Sequence, residues 1–234
     1  MLAVNRGTRE QLYMGYFNKE ESMRKLYIIG AGGFGREVAW LVERINEEKH
    51  IWNLQGFIDD NIENQGKIID GYKVLGGCDY FQNLEDDIWC VCAVGSAKTR
   101  RNIVEKISNL KNIHFAILID PSVMHSNYID VGEGSIVCAG TILTVDISLG
   151  KHVIINLDCT IGHDVKIDDY VTVYPSANIS GNVTIGTCTE LGTGTQIIQG
   201  KNVASKVIIG AGTVVIRDLT ESGTYVGNPA KKIK

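Results

Sequence analysis

From Val131 to Val215 an aliphatic side chain returns at every sixth residue without a slip, through Val137, Leu143, Leu149, Ile155, Ile161, Ile167, Val173, Ile179, Ile185, Leu191, Ile197, Val203 and Ile209. A stripe of period six drifts around a 3.6-residue helical turn, so no α-helix can bury it. The fourth residue after each aliphatic is small or β-branched, from Ser135 and Thr141 to Val207 and Thr213, with Lys201 the exception. Two inward side chains in six residues, one large and one small, describe one short strand and one corner of a parallel β-helix. Such a coil buries its apolar face only against its neighbours, as in other solenoids. Three faces of six residues make a turn of about 18 residues, hence roughly five coils. Glycine often follows the aliphatic, as at Gly132, Gly150 and Gly162. There it is expected to allow unusual backbone angles near the corner. The frame extends back to Ile119, although it then turns His125 inward. Between Gln199 and Asn202 the pattern weakens, and a bulge or loop is expected in place of a buried Lys201.

Residues 26–118 follow another rule. Leu26 to Ile29 is a strand-type apolar run ending in Gly30-Ala31-Gly32-Gly33-Phe34-Gly35, and an amphipathic segment follows from Arg36 to about Lys49. Strands are expected again at Leu54–Ile58, ending in Asp59-Asp60, and at Ile88–Val94, ending in Gly95-Ser96, with a helix over Ala97–Leu110. This alternation implies a small parallel sheet with helices on its faces, a Rossmann-like α/β unit. Gly30-x-Gly32-x-x-Gly35 fits the dinucleotide fingerprint in its proper place, after a strand and before a helix. Glycine lets the backbone approach a pyrophosphate, whose charge is favoured at a helix N-terminus. Asp59 stands about where a ribose-binding acid is expected. A unit of roughly 90 residues is too short for the two mononucleotide halves of an NAD site. One nucleotide, such as that of a nucleotide-activated sugar, fits better. The organisation expected is a 1–25 extension, a 26–118 nucleotide-sugar-binding domain and a 119–234 β-helix with a C-terminal tail.

Composition narrows the function. A net charge of -4 lacks the basic footprint of a nucleic-acid binder. No run approaches the roughly 18 apolar residues of a membrane span, and Met1 to Lys25 lacks the apolar core of a signal peptide. The six cysteines include no C-x-x-C pair, which points to reduced, buried thiols in a cytoplasm. Cys90 and Cys92 alternate within an apolar run and are expected on one face of a strand.

Among acid–base candidates His163 stands out, because it takes an outward or corner place in the hexad Ile161–Lys166 that the core does not need. Asp164 is beside it and Asn156 lies one hexad earlier. A neutral imidazole is a good general base near pH 7, and an adjoining carboxylate can orient it. His152 also reads as outward and is the next candidate, whereas His50 and His114 lie in the α/β part as bystanders. No serine or cysteine occupies a nucleophile elbow and no cluster has metal-ligand spacing, so no metal is expected and direct transfer is the simpler mechanism.

Several motifs in order resemble the PglD/NeuD family of sugar acetyltransferases. They are Ile28-Ile29-Gly30-Ala31-Gly32-Gly33-Phe34-Gly35, Gly56-Phe57-Ile58-Asp59-Asp60, Ala93-Val94-Gly95-Ser96, Ile155-Asn156, Ile161-Gly162-His163-Asp164, Ser180-Gly181-Asn182-Val183 and Tyr225-Val226-Gly227-Asn228-Pro229-Ala230-Lys231. The resemblance implies a left-handed β-helix, a homotrimer, and acetyl-CoA lying between neighbouring β-helices. It makes His163 the base, with Asp164 and Asn156 in support. It assigns CoA contacts to Gly181, Thr193, Ala211, Gly212, Lys231 and Lys232. It assigns sugar-nucleotide contacts to Gly32, Gly33, Phe34, Gly35, Asp59, Asp60, Gly95 and Ser96. Two departures stand out, since Phe34 and Thr172 occupy places where many members carry histidine. The reaction implied is N-acetylation of a nucleotide-linked 4-amino-4,6-dideoxyhexose for surface glycans. O-acetylation of a sialic acid-type sugar or of serine is the enzymatic alternative, and a nucleotide-sugar sensor or scaffold the non-enzymatic one.

Overall fold

The computed structural model describes residues 23–234, so most of the expected 1–25 extension lies outside the described residues. The first unit runs β1 (Arg24–Ile29), α1 (Gly33–Glu48), β2 (Trp52–Ile58), β3 (Ile68–Ile69), β4 (Tyr72–Gly76), a 3₁₀ turn, β5 (Ile88–Cys92), α2 (Ala97–Ile107) and β6 (Ile113–Phe115). The sheet order is β3-β4-β2-β1-β5-β6, parallel except for the β3-β4 hairpin. From Leu26 to Ile29 strand β1 is buried and largely apolar because it is covered on both sides, while Arg24 and Lys25 at its start are exposed. Leu26 and Ile28 enter one buried cluster with Val38, Leu41 and Val42 of α1, while Tyr27 and Ile29 enter another with Val104 and Ile107 of α2. Cys90 and Cys92 share that second cluster, on one face as expected. The chain leaves β1 for β2 and β4 on one side and returns to β5 and β6 on the other. The carboxyl end of β1 is therefore a topological switch point, where open α/β sheets hold ligands.

From Leu118 onward the chain winds as a left-handed parallel β-helix. Its first face stacks Leu118–Ile119, Ile136–Val137, Ile154–Ile155, Thr172–Val173, Glu190–Leu191 and Val207–Ile209. The second stacks Met124–His125, Ile142–Leu143, Thr160–Ile161, Asn178–Ile179, Gln196–Ile197 and Val214–Val215. The third stacks Ile129–Val131, Ile147–Leu149, Lys166–Ile167, Thr184–Ile185 and Asn202–Val203. The six-residue stripe is buried from Val137 to Val215, and so are its small partners apart from Lys201. His125 is exposed, because its strand is the first of its face and pairs only with Ile142–Leu143.

Two expectations are corrected here. No bulge interrupts 199–202: Asn202–Val203 pairs in register with Thr184–Ile185, and Lys201 is accommodated half-buried. The glycine after the aliphatic is not there for its backbone freedom. A Cβ on Gly162 would lie 2.6 Å from the Gly181 nitrogen, so close stacking of coils excludes it. The left-handed backbone falls two residues later, at Asp146, Asp158, Asp164, Ser176 and Asn182, where short polar side chains tolerate it, and also at His152, Tyr170, Cys188 and Lys206.

Candidate active site

A pocket of about 390 Å³ opens at the switch point, lined by Gly30, Gly32, Gly33, Phe34, Asp59, Asp60, Cys78, Val94 and Gly95 among others. Helix α1 begins at its floor. Its first turn carries no acidic residue and no side chain caps it, which leaves free backbone amides at Gly32 and Gly33 with the positive end of a 16-residue helix. A helix start of this kind can receive an anion such as a phosphate group. Gly35 is predicted as a ligand contact but is buried outside the lining, and a Cβ there would overlap the Gly30 carbonyl. Its role is to let α1 approach β1. Asp59 lines the pocket with its oxygens already engaged: Oδ2 accepts from the Ala31 amide (3.0 Å) and Asn64, and Oδ1 accepts from the Asn61 amide (2.8 Å). It therefore braces the glycine loop. Asp60 Oδ1 accepts from the Cys78 amide at 2.7 Å. Ser96 is exposed at the start of α2, next to the lining residue Gly95.

His163 and Asp164 stand together at the edge between the second and third faces. Nδ1 of His163 lies 2.7 Å from Oδ2 of Asp164, and both side chains are more than half exposed. Asp164 takes the left-handed turn, with φ of 60°. The imidazole lies flat over Gly181 of the next coil, where a Cβ would come within 2.5 Å of Cε1 and Nε2. Gly181 is thus the platform for the ring. With Nδ1 turned to the carboxylate, Nε2 is the nitrogen left to exchange a proton.

The other predicted residues fall elsewhere on the prism. Asn156 is buried at the next edge, between the first and second faces, with its Oδ1 accepting from the Leu157 amide at 2.7 Å. The chain does not bring it to His163. Thr193, Ala211 and Gly212 are exposed on that same edge, where the Gly212 amide donates to the Thr193 carbonyl. Lys231 is exposed on the terminal strand, while Lys232 is held by Glu221 at 2.7 Å.

His152 faces away from the solenoid core, as its hexad place implies, but the α/β unit covers it. It is 2% exposed, stacked on Tyr170 at 5.1 Å and edge-on to Phe115 at 4.6 Å, and burial pushes its pKa down to about 4. Both rings sit where the α/β unit docks, and docking hides the edge. Thr172 spends its hydroxyl on the Gly95 carbonyl at 2.6 Å. Arg100 and Glu190, which also join the two units, escape a reading of motifs. The available signal was an arginine inside the stripe Ala97, Arg100, Val104, Ile107, all buried on one face of α2.

A model of the PglD N-terminal domain matches residues 25–107. The acetyltransferase domain of PglB from Neisseria gonorrhoeae FA1090 is 32% identical, with a TM-score of 0.82 over 90% of this chain and 100% of that one. The chain belongs to the PglD/NeuD-type sugar acetyltransferase family. That family relative is also known in complex with acetyl coenzyme A. PerB from Caulobacter crescentus, in complex with CoA and GDP-perosamine, is 26% identical, with a TM-score of 0.78 over 91% of this chain and 99% of that one. Matches to curated sequences are shorter. They cover 26% of a Saccharomyces cerevisiae protein, at 46% identity over 52 residues. They cover 20% of the UDP-3-O-acylglucosamine N-acyltransferase of Delftia acidovorans, at 34% identity over 67 residues (29% of this chain). Among the described residues no helix is long and apolar enough to cross a membrane, and no cluster of three or more His, Cys, Asp or Glu could hold a metal ion.

Proposed function

We propose that the chain transfers acetyl from acetyl-CoA to the amino group of a nucleotide-linked sugar of the 4-amino-4,6-dideoxyhexose type. The observation that carries this is one chain holding both an anion-receptive helix start at a switch point and an oriented His163–Asp164 pair at a β-helix edge. The PglB complex with acetyl coenzyme A and the PerB complex with CoA and GDP-perosamine support the two substrate classes. In the reaction His163 Nε2 accepts the proton of the attacking amine as the nitrogen–carbon bond forms and the carbon–sulfur bond breaks. Asp164 stabilises the imidazolium that results. No side chain is acylated. The amides of Gly32 and Gly33 and the start of α1 bind the diphosphate.

The site needs more than one copy. The α/β unit covers the first face, through Ile136, Ile154 and Thr172, whereas His163 stands at the edge opposite that face. A neighbouring chain in a homotrimer would bring its second–third edge against the first–second edge carrying Asn156, Thr193 and Gly212. Met124, Ile142, Ile198 and Ile216, on or beside the second face, are 37–65% exposed and suit such a contact. All six cysteines are free and five are buried, in keeping with a reducing cytoplasm.

Thiol release from acetyl-CoA, measured with UDP-, dTDP- and GDP-linked 4-amino sugars and with serine and sialic acid as controls, tests the reading. Turnover with one amino sugar is expected, and His163→Ala is expected to lower it by on the order of 10² with the fold intact. Turnover only with a hydroxyl acceptor would overturn the amine, and near-normal turnover of His163→Ala would remove the base.

A further inference from the structure

Arg100 is 0% exposed, and no carboxylate is hydrogen-bonded to it. Its five N–H groups go instead to five backbone carbonyls drawn from both units. Nη1 donates to Val94 (2.7 Å) and Gly95 (3.0 Å), which line the pocket at the end of β5. Nε donates to His152 (3.0 Å), and Nη2 donates to Tyr170 (2.9 Å) and Val171 (3.2 Å), which form the third–first edge of the β-helix. A buried cation is costly unless its donors are all met, and only the planar guanidinium fork can meet this set at once. Around it the joint is reinforced. Thr172 donates to the same Gly95 carbonyl, and the Ala97 amide donates to Glu190 Oε1 at 2.8 Å. At this edge the left-handed turns carry His152 and Tyr170, whose stacked rings form the seat for the joint.

We infer that Arg100 is a positioning residue. It fixes the pocket wall Val94–Ala97 to the β-helix, so that a sugar held in the pocket is presented at one set height along the coils. This rests on the proposed acetyl transfer. Misplacement of a reacting group by about 1 Å can cost on the order of 10² in rate. Free amino sugar, which lacks a nucleotide, does not depend on the pocket.

The test compares Arg100→Met and the milder Thr172→Val with the wild type, using a nucleotide-linked amino sugar and the same sugar without its nucleotide. Arg100→Met is expected to lower kcat on the linked substrate by roughly 10- to 100-fold while kcat/KM on the free sugar stays within about twofold. Thr172→Val should move the same way by less. Equal loss on both acceptors, or no loss on either, overturns the inference. Amide exchange, which needs no turnover, gives a second readout. Exchange across Val94–Ala97 should quicken in both variants while that of Ile179–Ile185 does not, and unchanged exchange at Val94–Ala97 likewise overturns it. A wild type inactive on every acceptor, with variants that still show that exchange pattern, would sink the proposed reaction and leave the joint standing.

Discussion

The substitution Gly181→Ala separates the platform beneath His163 from the fold that carries it. The added Cβ would lie 2.5 Å from Cε1 and Nε2 of the imidazole and 2.9 Å from Cδ2, against a comfortable separation of about 3.5 Å. The ring must therefore retreat by about 1 Å, which also strains its 2.7 Å contact with Asp164. The side chain of His163 is 59% exposed, so nothing blocks that retreat. Gly181 does not have a left-handed φ, so alanine fits its backbone, and the stability change should stay within about 0.5 kcal/mol. Gly162→Ala provides the contrast. Its Cβ would meet the Gly181 nitrogen at 2.6 Å, so the coils must part, at a cost of roughly 1–3 kcal/mol. For a general base, a 1 Å error predicts a loss of on the order of 10² in turnover. Thiol release and denaturant unfolding, measured on both variants, read the two effects separately. If Gly181→Ala acts through His163, the double variant with His163→Ala is no slower than His163→Ala alone. A further drop would mean that the methyl obstructs the thioester directly, and the platform argument would fail.

Asp164→Asn is expected to cut turnover by at least tenfold with little change in the KM for acetyl-CoA, because the amide cannot stabilise the imidazolium. An unchanged kcat would show that the 2.7 Å contact is incidental. His152 predicts a pH dependence of stability. Its folded pKa, pushed down by burial to about 4, lies below the ordinary 6.5. As pH falls through 6.5 the unfolded chain therefore takes the proton first, and stability present above that pH is lost progressively toward 4. The loss from this group is about 2 kcal/mol between pH 7 and pH 5. In His152→Phe, which keeps a ring beside Tyr170 and Phe115, unfolding at those two pH values should show that slope removed, and an equal slope in both proteins would refute the assignment.

The β-helix was legible because its core is a one-dimensional code. Each inward residue stacks on its equivalent in the next coil, so composition at two positions in six suffices. The glycine-rich turn was legible for a similar reason, since Gly35 must clear the Gly30 carbonyl. What a linear reading missed are contacts between units. His152 reads as an outward histidine because its hexad place faces away from the solenoid core, yet α2 and Phe115 of β6 cover that edge. Arg100 looks like an exposed helical arginine until the docking of α2 turns it inward. Asp59 lies in the pocket lining as its spacing suggested, but spacing does not reveal that it also accepts the Ala31 and Asn61 amides and so braces the loop.

The register of the repeat also explains why the chemistry falls where it does. Core positions are the aliphatic and the fourth residue beyond it, which leaves the second and third residues at each edge free of packing duty. The three edges use that freedom differently. At the third–first edge His152 and Tyr170 turn it into a seat for the α/β unit. At the first–second edge Thr193 and Gly212 keep it small and open. At the second–third edge Ile161 is followed by Gly162, which brings the next coil close, then by His163 over Gly181, then by Asp164 in the left-handed turn that sets its carboxylate against the ring. A single insertion between Ile161 and Val165 would move the imidazole off its platform and one of the two inward residues out of the core at once. The period that builds the solenoid is therefore also what holds the proposed base at its height along it.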